Sequence, residues 1–145
     1  MTKRTFLITV VACILPLGVL GCANSVDDGD NSDSILRIES VGPSCVLAGG
    51  SADVEVGAIP RGGSAGTPLN DVILQRYQIT YLSVAGRVGP IDITVLVPAD
   101  GTGSFTAIVG DPGASTNARI YVEGRDTLGN FASAQGQFRI ETACP

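Results

Sequence analysis

The sequence has 145 residues, with nine Lys and Arg, fourteen Asp and Glu, no His and no Trp, for a net charge of -5. That length holds one domain of ordinary size. A chain with no His has no Ser-His-Asp or Cys-His nucleophile, no His metal ligand and no CxxCH haem attachment. The acidic balance runs against the basic patch that nucleic-acid binding requires, so no nucleic-acid partner is expected.

In chain order, Lys3 and Arg4 give a short basic start, and Phe6 to Leu20 is apolar without a charge. Fifteen residues fall short of the roughly 20 that a helix needs to cross a bilayer. They fit the apolar core of a secretory signal peptide. The run ends in Val19-Leu20-Gly21-Cys22, which resembles the lipobox of bacterial lipoproteins. The resemblance implies a signal peptide over 1–21, cleavage after Gly21, a diacylglycerol on the Cys22 thiol and an acyl chain on the new amine. Two or more acyl chains anchor a protein stably where one does not. No other cofactor is expected. Ala23 after the cysteine implies, within the Gram-negative pattern, the outer membrane, on its periplasmic or its surface face. The location expected is therefore the cell envelope, with a lipid anchor.

From Cys22 on, the cations are seven Arg against all fourteen acids, a charge of -7. Anionic headgroups do not attract such a surface, so the lipid has to supply the attachment. Residues 22–34 end in Ala-Asn-Ser-Val-Asp-Asp-Gly-Asp-Asn-Ser-Asp-Ser, too polar to offset the entropy of ordering, and read as an acidic tether. Asp28, Asp30 and Ser32 do fall at positions 1, 3 and 5 of an EF-hand-like loop. Position 6, where that loop turns on Gly, is Asp33, and no metal site is expected.

From Ile35 to the end, residues 35–145, the hydrophobic period is two. Seven strands follow: Ile35 to Val41, then runs with inward Val54/Val56/Ala58, Tyr77/Ile79/Tyr81, Ile91/Ile93/Val95/Val97, Phe105/Ala107/Val109, Ile120/Val122/Gly124 and Ala132/Ala134/Gly136/Phe138/Ile140. Turn residues separate them, among them Gly86-Arg-Val-Gly-Pro90, Asp100-Gly-Thr-Gly103 and Asp126-Thr-Leu-Gly-Asn130. One apolar face per strand predicts a seven-stranded antiparallel β-sandwich. The segment Ile120 to Asn130 resembles the F–G hairpin of fibronectin type III and bacterial immunoglobulin-like domains. Asp126 is placed to cap its turn, and Gly129 and Asn130 to tolerate positive φ. Where those domains often carry a corner Tyr, this chain has Ile120.

Of the four cysteines, Cys13 lies in the signal and Cys22 is the lipid site. Cys45 and Cys144 remain, without a CxxC neighbour, and in an exported protein they are expected to form a disulfide. In a sandwich of the resembled type the first strand's latter half runs parallel to the last strand, which would bring both cysteines to one pole.

No catalytic constellation stands out, and the protein is not expected to be an enzyme. Gly62 to Thr67 lacks the Lys of a phosphate loop. Asp53, Glu55, Asp92 and Glu123 fall where solvated sheet faces carry charge. Closing the last hairpin at Asp126 to Asn130 sets Tyr121 opposite Gln135 and Arg119 opposite Gln137. Arg76, Gln78 and Thr80 join them on one outer face, and Arg and Tyr are favoured interface anchors. The expected function is a non-catalytic structural or protein-interaction module, with another envelope protein as partner. The alternative is a ligand- or glycan-binding module using the long loop from Pro60 to Asn70.

Overall fold

The computed structural model describes residues 32–61 and 68–145. The expected signal peptide, Cys22 and most of the tether lie outside the described residues, as does the segment 62–67. The chain is all-β. Its strands are β1 (Ser34–Gly42), β2 (Val46–Leu47), β3 (Ser51–Pro60), β4 (Val72–Tyr81), β5 (Arg87–Val97), β6 (Thr102–Ile108), β7 (Thr116–Asp126) and β8 (Phe131–Glu141). A 3-10 turn spans Pro68–Asn70.

Two sheets result. One has the order β1-β3-β6, the other β2-β8-β7-β4-β5. All pairings are antiparallel except β2 with β8. The facing surfaces form one core of Val, Ile, Leu and Ala with Tyr77. Each large aliphatic side chain buried there contributes about 1.5–3 kcal/mol. The inward sets read from the period-two pattern of β3, β7 and β8 are the sets that pack: Val54, Val56, Ile120, Val122 and Ile140 are fully buried. Small residues on β8 let β1 approach, since a Cβ on Gly136 would stand 3.0 Å from the Ile38 side chain.

The structure differs from the expected seven strands in four places. β2 adds an eighth, two residues long, pairing Val46 with Ile140 and Leu47 with Glu141. β4 starts at Val72 rather than near Arg76, because an irregularity between Leu74 and Arg76 shifts the phase. Val72 and Leu74 face inward before it, Tyr77 and Ile79 after it. β5 starts at Arg87, inside the stretch expected to turn, and shifts register against β4 between Tyr77 and Ile79. Its Pro90 sits on an edge strand, where a missing N–H breaks no ladder. β1 starts at Ser34, within the stretch expected to be tether, and Ser32 and Ser34 are both buried. Their hydroxyls donate to Asp126 and to the Asn70 carbonyl, which removes the cost of burying them.

The five-stranded sheet curls at its β5 edge toward β6. A Cβ on Gly103 would stand 2.6 Å from the Leu96 carbonyl, so only glycine admits that approach. Tyr77 ties the sheets together. Its ring lies 5.3 Å from that of Phe105, and its hydroxyl accepts the Ile108 N–H at 2.8 Å.

Candidate functional site

The outer face of the five-stranded sheet holds the seven residues read from the sequence as a binding face. Three cross-strand rows build it. Gln78 pairs with Tyr121 and Tyr121 with Gln135. Thr80 pairs with Arg119 and Arg119 with Gln137. Arg76 pairs with Glu123, and on its other side with Asp92 of β5. Neighbouring strands in a sheet lie about 4.8 Å apart, so the seven form one contiguous patch.

The patch divides by charge. Arg76 donates to Asp92 at 3.2 Å and to Glu123 at 3.1 Å, so its cation is neutralised in place. Both carboxylates fall, by the sequence pattern, on solvated sheet faces. Asp92 reaches this patch through the shifted β4–β5 register and Glu123 through the β4–β7 pairing. Arg119, four positions from Glu123 along β7, is exposed. Gln78 donates to the Thr80 hydroxyl at 3.3 Å. Tyr121 is half-buried on the outer surface, and the face presents amide, hydroxyl, phenol and guanidinium groups.

A second cluster, which the sequence reading found only in part, surrounds Asp126 at the end of β7. Asp126 is 4% exposed. Its Oδ1 accepts the backbone N–H groups of Leu128 (3.0 Å) and Asn130 (2.8 Å). Its Oδ2 accepts the Asn130 side-chain amide (3.0 Å), the Ser32 hydroxyl (3.1 Å) and the Asp33 N–H (3.4 Å). Burial pushes this carboxyl up, but the hydrogen bonds from Asn130, Ser32 and Asp33 outweigh it and hold the group below the ordinary Asp range. With these donors filling its lone pairs the carboxylate acts as a tie between the chain entry and the β7–β8 turn, and no lone pair is left for a substrate proton. Gly129 takes the positive φ of that turn, 89°. Asn130, which would also tolerate a positive φ, does not take one. It supplies two donors to Asp126 instead.

Cys45 and Cys144 are joined by a disulfide with Cα atoms 5.9 Å apart. The parallel β2–β8 pairing delivers both to the pole opposite Asp126. Among the described residues no group of three or more Cys, Asp and Glu is arranged to hold a metal ion. No described helix is long and apolar enough to cross a membrane. Cys22 and the loop residues Gly62 to Thr67 lie outside the described residues.

These features define an all-β, two-sheet protein with a polar outer face. No family model matches the chain, and no curated protein matches it. Two solved structures are similar in part. One is Spo0M, a sporulation control protein from Bacillus subtilis, with a TM-score of 0.46 at 10% identity over 77% of this chain and 51% of that one. This chain thus spans about half the length of Spo0M. The other is a superoxide reductase (neelaredoxin, E23A) from Ignicoccus hospitalis, with a TM-score of 0.39 at 19% identity over 76% of this chain and 82% of that one.

Proposed function

We propose that the protein is a membrane-anchored lipoprotein of the cell envelope whose folded part is a non-catalytic structural or protein-interaction module. The observation that carries this reading is the run from Lys3 to Cys22: basic start, uninterrupted apolar stretch, then Gly21-Cys22. Diacylglycerol on Cys22 and an acyl chain on its amine hold the protein in the bilayer, in the outer membrane of a Gram-negative cell. The folded part is a sandwich of the immunoglobulin-like and fibronectin type III-like kind. The strand orders β1-β3-β6 and β8-β7-β4-β5 support that assignment, because they are the A-B-E and G-F-C-C′ sheets such a domain requires. The contiguity of Arg76, Gln78, Thr80, Arg119, Tyr121, Gln135 and Gln137 supports the outer sheet face as the surface for another envelope protein.

Metabolic labelling with radioactive palmitate tests the anchor. Label is expected in the wild type and not in Cys22→Ser, and equal labelling of both, or of neither, overturns it. Crosslinking in detergent-solubilised membranes tests the face. Joint replacement of Arg119 and Tyr121 by Ala is expected to abolish the crosslinked partner while leaving the unfolding midpoint in place.

A further inference from the structure

We infer that the pole of the domain where the chain enters lies against the membrane, with Leu128 and Leu69 seated at the lipid interface. This rests on the lipid-anchor reading of Cys22. The entry point is fixed: Ser32 donates its N–H to the Phe131 carbonyl at 2.9 Å and its hydroxyl to Asp126. Ten residue steps separate it from Cys22, which reach at most about 36 Å. β7 alone, with 11 residues, sets the two poles about 33 Å apart. Turning the domain over would therefore need the linker at almost full extension.

The same pole carries the apolar surface. Of the eight exposed large hydrophobic side chains among the described residues, Ile59, Leu69, Ile73, Leu96 and Leu128 lie here, against three at the disulfide pole. Leu128 (60% exposed) and Leu69 (58%) are the most exposed of these five. They stand on a braced platform. The Thr127 hydroxyl lies 2.7 Å from the Leu69 carbonyl and 3.2 Å from that of Pro68, and the Leu128 N–H is held by Asp126. Arg61 and Arg125 stand at this end with Asp33, Asp71, Asp100 and Asp126, a net charge of -2, so charge does not draw it to phospholipid headgroups and the contact rests on the tether and the leucines. A short linker fixes the effective concentration of a tethered surface on the order of millimolar. Contacts too weak to hold a free protein on a bilayer are then sufficient. The outer sheet face stands upright on the membrane, open along its length to a partner.

The chain has no Trp, so single Trp reporters are unambiguous. Leu128→Trp and, at the far pole, Leu82→Trp are made in the full acylated protein. Each is reconstituted into phosphatidylethanolamine–phosphatidylglycerol vesicles with or without brominated acyl chains. Because interfacial side chains sit about 5–10 Å deep, Leu128→Trp should be quenched at least about twofold more than Leu82→Trp. Equal quenching of the two in protein that floats with the vesicles overturns the orientation and leaves the anchor standing. A wild type that does not float overturns the anchor, and this inference with it. A concentration-dependent blue shift of Leu128→Trp without bromolipid quenching assigns the pole to a second copy of the chain and overturns the membrane contact. An unfolding midpoint matching the wild type verifies that each variant is folded.

Discussion

At one pole of the molecule a covalent bond between Cys45 and Cys144 joins the approach to β2 to the residues after β8. At the other pole the comparable task, holding the chain entry to the β7–β8 turn, falls to hydrogen bonds on one buried carboxylate. Both closures connect segments more than ninety residues apart in sequence, yet they answer to different conditions. The first depends on redox state and the second on protonation. Each should be removable without the other.

Breaking the covalent end should have the largest effect. Joint replacement of Cys45 and Cys144 by Ala releases a crosslink between residues 99 apart. In the chain-entropy model this costs about 4–5 kcal/mol in denaturant unfolding. A loss below about 1 kcal/mol would show that the β2–β8 ladder holds that pole by itself.

The entry pole comes next. Asp126→Ala strands the buried donors of Ser32 and Asn130 and should cost about 2–3 kcal/mol. Because the folded carboxyl is held below its unfolded range, its contribution is full above the unfolded Asp range and is lost as pH falls through the lowered folded value. Wild-type stability should therefore fall more steeply on acidification than that of Asp126→Asn, measured as unfolding midpoint against pH. Superimposable acid limbs would move the acid sensitivity elsewhere. Glu141, at the disulfide pole, is also held low, by the Ser115 hydrogen bond first and then by Arg139. It is open to solvent, so it should contribute little to that slope.

The smallest effect belongs to the face between the poles. Arg76→Ala should cost at most about 1 kcal/mol, because its pairs with Asp92 and Glu123 are exposed. That difference should shrink further in high salt. A larger loss would mark this triad as part of the closure of the sheet.

The sequence made the sheet faces legible where the period of two runs unbroken, as along Ile120 to Gly124 and Ala132 to Ile140. Once the hairpin was closed at Asp126 to Asn130, the pairing of Tyr121 with Gln135 and of Arg119 with Gln137 followed. The first half of β4 was hidden because Gln75 interrupts the alternation, so Val72 and Leu74 read out of phase with Tyr77 and Ile79. The start of β5 was hidden because Gly86 to Pro90 has the composition of a turn and works as an edge strand. β2 is too short to show any period. Ser32 was hidden for another reason. It sits in a run of polar residues that all look solvated, and what buries it is an aspartate 94 positions away. Local pattern reports which side of a strand is apolar. It carries no signal for a polar side chain whose partner is remote.

The parallel pairing of Val46 with Ile140 also has a temporal side. A nascent chain emerges N-terminus first, so an early strand waits for its neighbour until the final stretch has been delivered. Parallel pairings at such separation form slowly. Until then the seam stays unsealed and Cys45 has no mate. A protein built this way completes its fold only after its last strand has been delivered.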